Sequence, residues 1–63
     1  LDLYSAIDNA GLTERQRQAI ELVYFEGMTL VVAGEVMGVS KQAVKQFLDA
    51  GIANIIRYLP SYT

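Results

Sequence analysis

Residues 29–49 read TLVVAGEVMGVSKQAVKQFLD, and this stretch decides the fold. Ala33 and Met37 stand four apart, Val39 comes two residues later, and Val44 and Phe47 stand three apart. Such steps bring apolar side chains onto the inward faces of two consecutive helices. Gly38 lies just past Met37, where a helix stops in a left-handed conformation that glycine adopts without a Cβ clash. Ser40 offers a hydroxyl to cap the next helix. Gly34 falls where two such helices cross, and a small residue there lets the backbones approach. Apolar spacing by itself would suit any pair of antiparallel helices. With two glycines and a serine in register, the pattern is a helix-turn-helix, residues 29–49 being the unit.

Upstream, residues 12–27, LTERQRQAIELVYFEG, form the clearest helix of the chain. Thr13 and Gln16 have the spacing of a capping box, in which the threonine oxygen accepts from the Gln16 amide and the glutamine side chain returns to the Thr13 amide. Glu14 suits the positive end of the helix dipole. Leu12, Ala19, Ile20, Val23 and Tyr24 are the expected inward residues, and Gly27 the stop. Residues 1–10, LDLYSAIDNA, place Leu3, Ile7 and Ala10 on one stripe with Tyr4 beside it, and predict a short first helix that covers one side of the core. Asp2 and Asp8 make it a poor surface for nucleic acid.

Downstream, the second motif helix continues through AGIANIIRYL until Pro60 stops it. Gly51 interrupts that reading, at a cost of about 1 kcal/mol relative to Ala unless close packing needs it. Leu48, Ile52, Ile55 and Leu59 form one stripe, and Ile56 and Tyr58 widen it. Apolar residues on more than one side of a helix point to a surface buried in a partner, so Ile52, Ile55, Ile56 and Leu59 are the expected oligomer interface. The whole is an all-α domain of about four helices, near residues 2–10, 14–26, 30–37 and 41–58, with the last reaching toward 59. The expected core is Ile7, Leu12, Ile20, Val23, Tyr24, Ala33, Met37, Val39, Val44, Phe47, Leu48, Ile52 and Ile55.

Composition narrows the function. Sixty-three residues make one domain near the lower size at which a single core suffices. A hydrophobic fraction of 52% with 19% charged residues describes a chain that folds. No apolar run approaches the roughly 20 residues of a membrane span, so no membrane partner is expected. The chain begins at Leu1 rather than Met and reads as a fragment or trimmed domain. Cysteine and histidine are both absent, which removes disulfides, thiolate or imidazole metal sites, and the usual nucleophile and general base. The carboxylates are scattered rather than convergent, so neither a metal site nor a catalytic pair is expected; the chain is read as non-enzymatic and without a cofactor.

Residues 12–48, LTERQRQAIELVYFEGMTLVVAGEVMGVSKQAVKQFL, resemble the fourth region of bacterial sigma factors and the sigma-like helix-turn-helix proteins of bacteria and their phages. The most specific pieces are residues 12–17 (LTERQR), 24–27 (YFEG) and 34–40 (GEVMGVS) followed by Ala43, Val44 and Lys45. The resemblance implies a recognition helix, residues 40–46, lying in the major groove of double-stranded DNA, a role in transcription regulation, a cytoplasmic place in a bacterial or phage-infected cell, and RNA polymerase or another protein as a further partner. It covers about three quarters of the chain. Val31 and Val32 stand where the family usually carries charge, and few cations follow the recognition helix.

The side chains support that implication locally. Lys41 and Lys45 are four apart with Gln42 and Gln46 alongside; Gln can read adenine edges and Lys can reach guanine or phosphate. The expected DNA-contacting set is Arg15, Arg17, Thr29, Ser40, Lys41, Gln42, Lys45 and Gln46. Its four cations would neutralise about 4 phosphates, for a log–log salt slope near −3.6. A formal charge of −2 is low for a nucleic-acid-binding domain, so two copies joined in a homodimer or larger assembly through the last helix are expected to act together. Two alternatives stand beside this one: a protein-interaction or oligomerisation domain that kept the fold and lost DNA binding, and the DNA-recognition module of a phage packaging subunit.

Overall fold

The computed structural model describes residues 10–58, which hold three helices and no strand. α1 comprises Glu14–Ile20 and runs on without a break as a π-helical turn, Glu21–Phe25. α2 is Leu30–Met37 and α3 is Lys41–Tyr58. The all-α class and the three later boundaries match the sequence reading. Among the described residues there are three helices rather than about four; the helix expected near residues 2–10, with its Leu3, Tyr4 and Ile7, lies outside them.

Thr13 starts α1 through the expected capping box. Its Oγ1 accepts from the Gln16 amide, and Gln16 Oε1 accepts from the Thr13 amide, both at 3.2 Å. The same Oε1 accepts from Asn54 Nδ2 of α3 at 3.2 Å, so the start of α1 is tied to a helix 38 residues away in sequence. From Glu21 onward the hydrogen bonds reach further back: the Glu26 amide donates to the Glu21 carbonyl, five residues back, at 3.0 Å, and past the helix end the Met28 amide donates to the Leu22 carbonyl, six residues back, at 3.0 Å. Gly27, at φ +75°, then ends the helix.

This widened turn corrects one expectation. A period of 3.6 places Tyr24 in the core, but it is 57% exposed, and Leu22 is buried in its stead. Once the bonds reach to the fifth residue back, side chains no longer advance by about 100° per residue, and the last turn leaves the face that Ala19 and Ile20 began.

The core consists of Ala19, Ile20 and Leu22 from α1, Ala33 and Met37 from α2, and Val44, Leu48 and Ile55 from α3. Leu12, Val23, Leu30, Val39 and Phe47 pack against it half-buried. On α3 the buried row is Val44, Leu48, Gly51, Ile55, which keeps the 4-3-4 step of one helical face. Gly51 does not interrupt the helix. A Cβ there would stand 2.8 Å from Ile20 Cδ1 and 3.4 Å from Gln16 Cβ. Close packing of α3 on α1 therefore offsets the roughly 1 kcal/mol by which glycine disfavours a helix interior.

Candidate nucleic-acid interface

The turn between α2 and α3 fixes how the exposed face of α3 is presented. Thr29 caps α2, its Oγ1 accepting from the Val32 amide at 3.2 Å. At the other end Gly38 sits at φ +73°. The Gly34 carbonyl accepts from the Gly38 amide and, at 2.9 Å, from the Val39 amide, which closes the C-terminal cap expected of a left-handed glycine. Ser40 then caps α3, with its Oγ accepting from the Ala43 amide at 3.1 Å. A Cβ on Gly34 would lie 2.7 Å from the Val39 carbonyl oxygen and 3.4 Å from the Ser40 carbonyl carbon. The close approach that Gly34 permits is thus between α2 and the backbone of the turn.

One side chain outside the motif locks this geometry. Arg15 Nη1 of α1 donates to the Met37 carbonyl at 3.0 Å, satisfying one of the last carbonyls of α2 with a cation at the negative end of the helix dipole. Sequence reasoning gave Arg15 to DNA phosphate. In the structure it bridges α1 to the end of α2.

The remaining expected site residues divide by what they touch. Lys41, Gln42, Lys45 and Gln46 are all exposed; at about 100° per residue, Gln42 and Gln46 lie on the side of α3 away from Val44 and Leu48, while Lys45 flanks the buried row and Lys41 is exposed at the helix start. The hydroxyls of Thr29 and Ser40 accept from main-chain amides as caps. Arg17 Nε lies 3.6 Å from Glu21 Oε2 on α1. Lys45 Nζ lies 3.3 Å from Asp49 Oδ2. Of the four cations, Lys41 is the one with neither a carboxylate nor a carbonyl partner among the described residues. Asp49 belongs to this face as well, and its i,i+4 spacing from Lys45 is a signal the sequence carries. The Gln16–Asn54 pair had no such signal.

The expected oligomer residues also separate. Ile55 is buried in the core of its own chain, which withdraws it from a contact with a second copy. Ile52 is half-buried and Ile56 is 64% exposed; Leu59 lies outside the described residues. On α2, Val31, Val32 and Val36 are all exposed around Glu35, the helix's one charged residue.

No helix among the described residues is long and apolar enough to cross a membrane. No curated protein and no solved structure matches the chain. The family described as Sigma-70, region 4 matches residues 10–55, a span that takes in the capping box, the Arg15 bridge, the Gly34–Gly38 turn and the exposed face of α3. The chain therefore belongs to the sigma-70 region 4 family, a family of DNA-binding helix-turn-helix domains rather than of enzymes.

Proposed function

We propose that this domain regulates transcription by sequence-influenced, non-enzymatic binding of double-stranded DNA, with the N-terminal half of α3 entering the major groove. The observation that carries this function is the exposed quartet Lys41, Gln42, Lys45 and Gln46 in the first two turns of a helix whose start is fixed by the Ser40 cap and the Gly34 approach. A helix of this kind reads bases with its first residues while the preceding helix crosses the backbone. With Arg15 bonded to Met37 and Arg17 beside Glu21, Lys41 and Lys45 remain as the phosphate ligands. With both lysines on phosphate, about 2 contacts set the steepest salt slope near −1.8 instead of −3.6. One copy then binds weakly at physiological salt, and the domain acts as one part of an oligomer or a larger protein in the cytoplasm of a bacterial or phage-infected cell.

Binding of the chain to a mixed pool of duplexes at two salt concentrations tests this function. Lys41→Ala is expected to weaken all sequences alike and to lower the slope by about 0.9; Gln42→Ala is expected to relax preference at particular base pairs. Unchanged binding in the Lys41→Ala, Lys45→Ala double variant would sink it. A second function, protein interaction without DNA binding, is favoured by the exposed Val31, Val32 and Val36, which give α2 nothing cationic to lay across a phosphate backbone.

A further inference from the structure

Asp49 lies one turn beyond Lys45, its carboxylate 3.3 Å from the ammonium, with both side chains about two-thirds exposed at 65% and 66%. An exposed i,i+4 pair of this kind contributes little to folding, so the fold does not require it. Lys41, Lys45 and Asp49 succeed one another at four-residue steps along about 12 Å of helix axis. A duplex near enough to meet both lysines meets the carboxylate as well. Carboxylate and phosphate are both anions that accept charge-assisted hydrogen bonds from an ammonium, and they compete for the same Nζ.

We propose that Asp49 is a built-in competitor for phosphate: it draws the Lys45 ammonium away from phosphate on sequence-independent DNA and yields it where Gln42 and Gln46 meet matching base edges. The proposal rests on the DNA-binding function of α3 and specifies how that helix discriminates. Generic affinity comes almost entirely from counterion release at phosphate contacts. Withdrawing Lys45 to Asp49 removes one contact of the two available, lowering the affinity for wrong sequences more than for right ones. Specificity is a ratio, and here it rises through a weaker denominator. A domain with net charge −2 and few free cations suits that arrangement.

The test uses the 63-residue chain as wild type, Asp49→Asn, Lys45→Ala and the double variant, each with an unchanged circular dichroism spectrum. Binding is followed by fluorescence anisotropy to a random-sequence duplex pool and to a duplex enriched from that pool by the wild type. Asp49→Asn is expected to steepen the salt slope on the random pool by about 0.9, which amounts to about a threefold extra gain on lowering salt fourfold. It should gain less on the enriched duplex, and nothing when Lys45 is already Ala. An unchanged slope overturns the proposal while leaving DNA binding intact. So does an Asp49→Asn gain that persists without Lys45, because the carboxylate then acts on phosphate directly. Loss of affinity for the enriched duplex overturns it too, by making Asp49 a base contact. Failure of both wild type and Asp49→Asn to bind any duplex at low salt overturns the DNA-binding function itself.

Discussion

Arg15 Nη1 and the Met37 carbonyl oxygen are 3.0 Å apart, and this one hydrogen bond joins the first turn of α1 to the last turn of α2, immediately before Gly38 bends the chain into α3. Removing it leaves a helix-end carbonyl without its cationic donor. Arg15→Ala is expected to cost about 1.5 kcal/mol, the low end of the range for a hydrogen bond to a charged group, because the site is partly solvated. Thermal melting measures that loss. Because the guanidinium is bonded within the protein, the salt slope for DNA should change less than it does in Lys41→Ala; an equal change would return Arg15 to the phosphate.

The two helical glycines make unequal demands. At Gly34 an added methyl meets the Val39 carbonyl oxygen at 2.7 Å, a backbone atom held in the turn. At Gly51 it meets the Cδ1 end of the Ile20 side chain at 2.8 Å. Gly34→Ala is expected to destabilise by about 1 to 3 kcal/mol through overpacking, and Gly34→Leu to unfold most of so small a domain. Gly51→Ala gains up to about 1 kcal/mol in helix propensity against a shift of Ile20, and should end nearer neutral. Denaturant midpoints in the reverse order would mean that the turn yields more readily than the α1–α3 contact.

Gln16 Oε1 accepts from two donors, the Thr13 amide and Asn54 Nδ2. Gln16→Ala should therefore cost more than Asn54→Ala, with about 0.5 to 1.5 kcal/mol of coupling energy in the double-variant cycle. Strict additivity would show that the α1–α3 bond contributes nothing to stability.

Ile55 and Ile56 are neighbours in sequence with opposite surroundings, 7% and 64% exposed. Ile55→Ala is expected to cost about 2 to 5 kcal/mol as a core truncation. Ile56→Glu should leave folding near wild type and abolish any self-association. Sedimentation at tens of micromolar checks the second half: a wild-type chain that is already strictly monomeric, with a mass unaffected by Ile56→Glu, removes the last helix as a dimer surface.

Much of this fold is legible in local sequence because local chemistry determines it. Thr13 and Gln16, Gly38, and Ser40 act on residues within a few positions of themselves, and each does in the structure what its spacing implies; Gly34, expected at a helix crossing, instead admits the backbone of the turn. What was not legible depends on partners far along the chain. Nothing around Arg15 names Met37, 22 residues away, so the sequence alone offers this arginine to phosphate. The cost of Gly51 was visible, whereas its compensation lies on Ile20 of another helix. Tyr24 and Leu22 exchanged places because a period of 3.6 was carried through a turn that does not keep it. Of the candidate site, the four exposed polar residues of α3 could be read from periodicity, but the carboxylate beside Lys45 changes what that face offers to an anion.

The turn at Glu21–Phe25 holds a spare residue. Its hydrogen bonds span five positions where an ordinary helix spans four, so the chain here is longer by one than the distance it covers requires. Deleting one residue within this turn would let the ladder close in the common register while Gly27 and everything after it stay in step. The same deletion in α2 would carry Met37 and Gly38 a hundred degrees around the axis and out of reach of Arg15. A one-residue deletion is therefore expected to be tolerated ahead of the motif and to unfold the domain when made between Thr29 and Ser40.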